Sequence, residues 1–207
     1  LADEIGGLAA VCDVSDFNAV KQVVEDTEKR FGRVDLYCAN AGILVKGGLE
    51  ASDDTWQRVM DINLMAHVHA ARACLPGMIA RGGGAFLNTV SAAGLLSQIG
   101  AVTYTVSKHA ALGFAEWLAI SHGHQGIQVT VVCPQAVRTR MLDGVAEGGV
   151  AGLDGVLTPA EVADVAVQTG DTRYLIQRGL EALRHTERLG LRVMMDLANL
   201  NPDCLTE

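Results

Sequence analysis

Apolar residues along the chain follow two alternating spacings. Short continuous apolar runs, which are typical of buried strands, lie at residues 8–12, 34–38, 85–90, 128–133 and 174–176. Stretches in which apolar residues recur every three or four positions, as on one helical face, lie at residues 16–32, 53–80, 102–122 and 159–168. Strands and helices that alternate in this way predict βαβ crossovers and an α/β fold built on a doubly wound parallel sheet.

Polar residues and glycines set the expected limits of these elements. Asp16 is placed to cap the first helix and Gly32 to end it, and a break is expected near Asp61 in the second helix. Residues 142–157 are rich in glycine and lack hydrophobic periodicity, which predicts a mobile loop over a substrate site. The length of 207 residues predicts a single domain over residues 1–207.

Composition and charge argue against several classes of protein. The formal net charge is −8 with no basic face, which argues against nucleic-acid binding, and no apolar run has membrane-spanning length. Five cysteines without a C-x-x-C pair indicate free thiols in a reducing compartment, so a cytoplasmic location is predicted. His67 and His69, two positions apart on a helix, point in different directions, so packing or solvated histidines are expected rather than a metal site.

The chemistry is expected just after the strands, because ligands of open parallel sheets bind beyond the carboxyl ends of the strands. Ser91 follows one predicted strand, and Tyr104 and Lys108 lie four residues apart on one face of a predicted helix. A phenol titrates near ~10, and a neighbouring ammonium lowers that pKa by favouring the phenolate. Tyr104 is therefore the expected acid/base, with Lys108 lowering its pKa and Ser91 hydrogen-bonding a substrate oxygen.

Other residues that follow strands complete a recognisable order. Asp13-Val14 comes first, then Asn40-Ala41-Gly42, then Asn63, and after these the Ser91, Tyr104 and Lys108 set. In this order and spacing, the sequence from about Leu1 to Val167 resembles the short-chain dehydrogenase/reductase family. The resemblance implies a Rossmann-like fold and an oxidoreductase that moves a hydride between NAD or NADP and a small-molecule alcohol or ketone. It also implies a catalytic set of Asn63, Ser91, Tyr104 and Lys108, with Asn63 carrying a water that links Lys108 to solvent.

The resemblance further implies where a nicotinamide cofactor is held. The expected contacts are Asp13 and Val14 at the adenine, Asn40, Ala41 and Gly42 at the adenosine ribose, Tyr104 and Lys108 at the nicotinamide ribose, and Pro134, Val137 and Thr139 beside the nicotinamide. The family usually has Pro-Gly where this chain has Pro134-Gln135, so the local backbone is expected to differ there. The apolar residues of 141–157 favour a hydrophobic alcohol or ketone.

The family's glycine-rich phosphate-binding turn is not found in this sequence. Gly6-Gly7 precedes a predicted strand, whereas a phosphate site needs glycines that follow a strand and open a helix. The sequence is therefore expected to be N-terminally incomplete, lacking the first strand-helix-strand unit and the residue that chooses between NAD and NADP. The strand at 8–12 would then lack its neighbours, and the strand at 34–38 would have a bare edge.

Two other functions remain open on the sequence alone. A non-catalytic homologue could keep this site as a binding or structural protein, and a lyase or epimerase could use the same scaffold. The discriminating observation is a glycine-rich turn in sequence upstream of Leu1.

A homo-oligomer, tetramer or dimer, is also expected. The apolar residues of 102–122 cover more than one helical face, and the family commonly pairs this helix and the one at 62–80 across a two-fold axis. The alternative is that residues 177–200 fold back over that face.

Overall fold

The computed structural model describes Ala2, residues 4–142 and residues 155–168. The chain divides into two compact units, Leu1–Val162 and Ala163–Glu207, and the account below concerns the first. Most of the second unit, including the strand predicted at 174–176 and the segment 177–200, lies outside the described residues, as does most of the loop predicted at 142–157. The single domain over 1–207 and the mobility of that loop stay predictions.

A parallel sheet forms the centre of the first unit. Its described strands are β1 (Leu36–Ala39), β2 (Gly84–Thr89) and β3 (Ile127–Val132), paired in the order β1-β2-β3. Both pairings are parallel, with Ala39 opposite Asn88 and Asn88 opposite Val131. Three predicted strands are thus confirmed to within one or two residues, and their carboxyl ends meet at one edge of the sheet.

The helices confirm the predicted alternation. They are α1 (Phe17–Phe31), α2 (Asp53–Met60), α3 (Ala66–Ala80), α4 (Val102–His122) and α5 (Pro159–Gln168). The Asp16 carboxylate accepts a hydrogen bond from the Asn18 backbone N–H at 2.8 Å, and Gly32 ends α1 with a φ of 93°. Both predicted limits of this helix are therefore correct. No helix in the described ranges has both the length and the apolar character that crossing a membrane requires.

The break expected near Asp61 is a single π-helical turn. It spans Asp61–Met65 and joins α2 to α3 without a loop. A π turn takes more residues than an α turn, and such bulges are frequent at functional sites. This one carries Asn63, whose side chain is fully buried.

The strand predicted at residues 8–12 does not form. Its backbone has no strand pairing, Val11 is fully exposed and Leu8 is nearly half exposed. A strand is stabilised by hydrogen bonds to a neighbouring strand, and within the described residues no strand lies beside this segment. Residues 8–12 are apolar, but no neighbouring strand is described with which they could pair, so they do not form a strand.

The core lies between the sheet and the helices α1, α3 and α4. Phe86 of β2, Met78 of α3 and Leu118 of α4 are almost completely buried against one another and against Val24 of α1. Towards the carboxyl ends of the strands the buried residues become polar. They are Asn63, His67, Asn88, Ser91, Thr103, Ser107 and Lys108. The apolar part of the core holds the helices against the sheet, and the candidate site lies at its polar part.

We predict that Gly126→Ala destabilises the fold by about 2 kcal/mol. Gly126 precedes β3 with a φ of 80°, and a Cβ there would collide with the carbonyl oxygen of Gly82. Equilibrium urea unfolding measures the change. Gly123→Ala is the matched control, because Gly123 has a helical φ of −56° and open space around its Cα. Equal stability of the two variants would contradict the prediction.

Candidate active site

Tyr104 and Lys108 lie one turn apart on α4, where that helix faces the end of β2. Their exposed fractions are 7% and 3%. The Lys108 Nζ lies 5.7 Å from the centre of the Tyr104 ring and donates a hydrogen bond to the Thr89 carbonyl oxygen at 3.1 Å. The last residue of β2 therefore anchors the ammonium. The pairing of Tyr104 with Lys108 was predicted, but the Thr89 carbonyl was not, because a backbone partner leaves no mark in the sequence.

Ser91 is held two residues beyond β2 by an extension of the sheet. The Val90 N–H donates to Val132 and the Ala92 N–H donates to Pro134, both at 2.9 Å, so the backbone on each side of Ser91 stays attached to the β3 segment. The Ser91 hydroxyl accepts a hydrogen bond from the Ala93 N–H at 3.1 Å, and the Ser91 side chain lies near enough to the Tyr104 phenol to lower its pKa. The structure thus brings Ser91 and Tyr104 together as predicted.

Asn63 ties the loop after β1 to α4. Its Nδ2 donates to the Ile43 carbonyl at 2.9 Å and to the Ser107 hydroxyl at 3.0 Å, while its Oδ1 accepts from the Ile43 N–H at 2.8 Å. Ser107 in turn donates to the Tyr104 carbonyl at 2.8 Å. Both amide hydrogens of Asn63 are used by the protein. Ser107 is a buried link that sequence reasoning missed, since a serine inside a helix carries no distinctive signal.

Gly42 lies against the same polar atoms. A Cβ at this position would be 3.4 Å from both the Asn63 Oδ1 and the Lys108 Nζ. A larger side chain would fill the space in front of the ammonium. The absence of a side chain at Gly42 therefore leaves the ammonium open on this side.

Burial changes the proton affinities of both catalytic candidates. Removal from water lowers the pKa of the Lys108 ammonium to about 8. Burial raises the pKa of the Tyr104 phenol, and the nearby Ser91 side chain only partly offsets that rise. In the protein without ligands, burial therefore outweighs the lowering that was expected from Lys108, whose effect on this pKa stays a prediction. The ammonium lies over the phenol ring, and desolvation of the phenolate outweighs any help from its charge.

The remaining predicted cofactor residues lie beyond the ends of the strands or before α1. Asn40 and Ala41 follow β1 and are exposed, and the Pro134 carbonyl joins the Ser91 loop. Val137 bridges Leu157, and Thr139 is exposed at the start of a short turn. The Asp13–Val14 pair precedes α1, where Asp13 binds Ser15 and the Val14 carbonyl meets His69. Lys108 lies beside Tyr104 and Gly42, and Ser107 joins Asn63 to Tyr104, whereas among the described residues no hydrogen bond or ion pair joins the other predicted cofactor positions to Tyr104 or Lys108.

The donors present fit a nicotinamide nucleotide. Lys108 uses one of its three N–H groups on the protein, and no carboxylate in the described ranges forms an ion pair with it. Ribose hydroxyls and phosphate oxygens are suitable acceptors for the two N–H groups that are left. The space in front of Gly42 gives such a ligand access to them.

In the part of the chain that the structure describes, no three His, Cys, Asp or Glu side chains are grouped so that they could hold a metal ion. His67 and His69 are both buried, and they point to different partners: His67 Nδ1 lies 2.9 Å from the Asn88 Oδ1, and His69 Nδ1 lies 3.2 Å from the Val14 carbonyl. Both are packing histidines, which is one of the two roles expected for them.

Comparison with known proteins is consistent with this geometry. A family model described as short chain dehydrogenase matches residues 2–148. The chain belongs to the short-chain dehydrogenase family. Meso-2,3-butanediol dehydrogenase of Serratia marcescens is 33% identical over 138 residues, which are 66% of this chain and 55% of that protein. Epidermal retinol dehydrogenase 2 of Mus musculus is 37% identical over 151 residues, covering 70% and 49% of the two chains. This short-chain dehydrogenase thus spans about half the length of these curated relatives.

Solved structures confirm the Rossmann-like fold of this short-chain dehydrogenase. The gluconate 5-dehydrogenase of Burkholderia cenocepacia J2315, in complex with NADP and tartrate, superimposes with a TM-score of 0.72 at 25% identity. The match covers 80% of this chain and 69% of that one. The ligand-free aldohexose dehydrogenase of Thermoplasma acidophilum gives a TM-score of 0.69 at 25% identity, covering 76% and 69% of the two chains. The doubly wound parallel architecture expected from the sequence is therefore correct.

We predict that Lys108→Met raises the free energy of unfolding at pH 7 by about 1–3 kcal/mol. The folded state lowers the Lys108 pKa from 10.5 to about 8, so burying the charged form costs stability at all pH values below 8. That cost falls as the pH rises from about 8 towards 10.5, because the folded protein then loses the proton while the unfolded chain keeps it. Urea unfolding at pH 7 and pH 9.5 measures both effects. A variant that is less stable than the wild type at pH 7 would contradict this account.

Proposed function

We propose that this protein is an NAD- or NADP-dependent oxidoreductase that interconverts an alcohol and a carbonyl compound. The observation that carries the proposal is the buried Tyr104 phenol, one helical turn from the buried Lys108 ammonium and near the Ser91 side chain. The Ser91 and Tyr104 hydroxyls would both hydrogen-bond the oxygen of a bound substrate. The family and its named dehydrogenases support the same reaction class.

Tyr104 is proposed to hold the proton that the reaction moves. Its raised pKa keeps the phenol protonated at neutral pH in the protein without ligands, which suits donation to a carbonyl oxygen during reduction. Ser91 would hydrogen-bond the same substrate oxygen, orient it and stabilise the negative charge that develops on it. In the oxidation direction the same two groups would receive the alcohol, and Tyr104, after losing its own proton to solvent, would accept the alcohol proton as the phenolate.

Lys108 and the loops around it are proposed to hold the cofactor. When bound, NAD or NADP supplies or accepts the hydride. Lys108 would donate to the nicotinamide ribose, and Asn40, Ala41 and Gly42 would lie along the adenosine ribose. Asn63 is proposed to act by its hydrogen bonds to Ile43 and Ser107, which fix the distance between the Gly42 loop and α4. A water carried by Asn63 would have to bind its remaining Oδ1 lone pair or its backbone, since both amide hydrogens are taken.

The substrate is proposed to be neutral and apolar. Tyr104 packs with Ala93 and Ala101, and Leu44 lies against this cluster. Leu95, which follows closely, is 58% exposed. These side chains offer an apolar surface beside the phenol, which favours a hydrophobic alcohol or ketone over a sugar acid.

A homo-oligomer is proposed as the working assembly. An apolar groove of about 460 Å³ runs between α3 and α4, with Leu75, Phe114 and Trp117 among its lining residues. Trp117 is 58% exposed and Ile120, on the same helix, is 83% exposed. A face of this kind is typical of an interface, and two-fold pairing with a second copy is the commonest closed arrangement. A dimer or tetramer would cover it.

The cytoplasm is proposed as the location. The four cysteines in the described ranges, Cys12, Cys38, Cys74 and Cys133, are all free thiols. Free thiols are typical of proteins that work in reducing compartments.

We predict that Tyr104→Phe lowers turnover by at least about 100-fold while the Kd for the reduced cofactor changes less than about twofold. The substitution removes the proton donor and keeps the ring. Stopped-flow or steady-state absorbance at 340 nm measures turnover on a panel of neutral alcohols and ketones, including butanediol and retinol, and cofactor fluorescence measures binding.

Tyr37→Phe is the matched control for this experiment, because Tyr37 lies on β1 and contributes to the core rather than to the site. It is expected to leave turnover unchanged. Wild-type turnover in Tyr104→Phe would disprove the assignment of the proton donor. A full-length protein that binds neither NADH nor NADPH would favour the non-catalytic alternative.

We predict that Trp117→Glu converts the oligomer to monomers at micromolar concentration, because it places a charge on the apolar groove. Light scattering measures the mass. Leu49→Glu is the control, since Leu49 is 93% exposed and lies outside the groove. A wild type that is strictly monomeric would disprove the assembly and would favour the alternative in which residues 177–200 cover the groove.

A further inference from the structure

The turn Asp13–Val14–Ser15 lies in front of α1 and is not held by any described strand. Its own bonds are local: the Asp13 Oδ1 accepts from the Ser15 N–H at 3.0 Å and from the Ser15 hydroxyl at 2.6 Å. The preceding segment has no strand pairing in the described part of the chain. Contacts from other elements must therefore hold this turn in position relative to the candidate active site.

Arg58 of α2 supplies one attachment. Its Nη1 donates to the Ser15 hydroxyl at 3.2 Å and lies 3.7 Å from the Asp13 Oδ2. The same guanidinium thus contacts both ends of the turn. The Asp13 pKa is lowered, first by its bonds from Ser15 and in smaller part by Arg58, so this carboxylate is charged and available as an acceptor.

His69 of α3 supplies the second attachment. Its Nδ1 lies 3.2 Å from the Val14 carbonyl oxygen, and since a carbonyl only accepts, this nitrogen carries the hydrogen. The ring is 93% buried and lies 5.7 Å from the Phe17 ring of α1, at a tilt of 54°. A buried ring that packs on one side and donates on the other has little freedom to move, so the Val14 carbonyl is held in one place.

We propose that Arg58 and His69 are positioning residues for the adenosine half of the cofactor site. The inference rests on the proposed function, because Asp13 and Val14 are its expected adenine contacts. Arg58 contacts Asp13 and Ser15, and His69 contacts the Val14 carbonyl and the Phe17 ring, from two successive helices that carry Asn63 between them. The two helices therefore connect the Asp13–Val14–Ser15 turn, where the adenine contacts are expected, to the catalytic centre. Cofactor affinity should depend on both side chains, while the affinity for a ligand that lacks adenosine should not.

The experiment compares two ligands by fluorescence titration of the full-length protein. One is the preferred reduced dinucleotide, NADH or NADPH, and the other is reduced nicotinamide mononucleotide, which has no adenosine. Arg58→Leu keeps the apolar stem without the guanidinium, and His69→Phe keeps the ring without the donor. Each is expected to weaken dinucleotide binding about three- to tenfold, the size of effect that one or two lost hydrogen bonds produce, and to leave mononucleotide binding unchanged.

Arg30→Leu and His124→Phe are the matched controls. Arg30 lies over the Phe31 ring at the end of α1, and His124 lies in the turn before β3. Both are expected to bind the two ligands as the wild type does. Equal losses for dinucleotide and mononucleotide, or no loss for either ligand, would overturn the positioning role. A wild type that binds neither ligand would instead overturn the proposed function, so the two failures are distinguishable.

Discussion

The constraint around which the site is arranged is a positive charge that is buried without a negative partner among the described residues. Lys108 is 3% exposed, and the group it contacts is the Thr89 carbonyl. Such a charge costs free energy in the folded protein, and the polar layer around it limits that cost. The carbonyl at the end of β2 faces it, Gly42 leaves room in front of it, and the Asn63–Ser107 bond holds α4 in place beside it. The sheet, the π turn and α4 are arranged around this one ammonium.

Proton affinities in the site follow from the same burial. A phenol and an ammonium removed from water shift in opposite directions, and both shifts favour the neutral form. Tyr104 therefore keeps its proton, while Lys108 holds its own less tightly. The resting site is thus prepared to give a proton. A bound ligand that brings hydroxyls and phosphate to Lys108 would stabilise its charge, which would also strengthen its influence on the phenol. In the proposed reaction, the cofactor and the proton donor Tyr104 would thus be linked through the Lys108 side chain.

The sequence predicted those parts of the fold and site that depend on residue type and spacing. Continuous apolar runs located β1, β2 and β3, and the four-residue spacing of Tyr104 and Lys108 placed them on one face of α4. The sequence could not predict hydrogen-bond partners that are backbone atoms, such as those of Thr89 and Ile43. The strand expected at 8–12 did not form because a strand needs a neighbour to pair with, and the described residues provide none there. The pKa of Tyr104 was expected to fall because charge proximity is visible in sequence and burial is not.

The π turn at Asp61–Met65 also sets the rotational phase of α3. Each residue of an α-helix advances the side chains by about 100° around the axis. Deleting one residue from this turn would allow α2 and α3 to join as one regular helix, but it would rotate everything on one side of the join relative to the other. With α2 and Arg58 fixed, Cys74 and Met78 would leave the core and the faces now exposed would enter it. Because of the extra residue, one continuous helix can direct functional side chains to one side in α2 and core side chains to another side in α3.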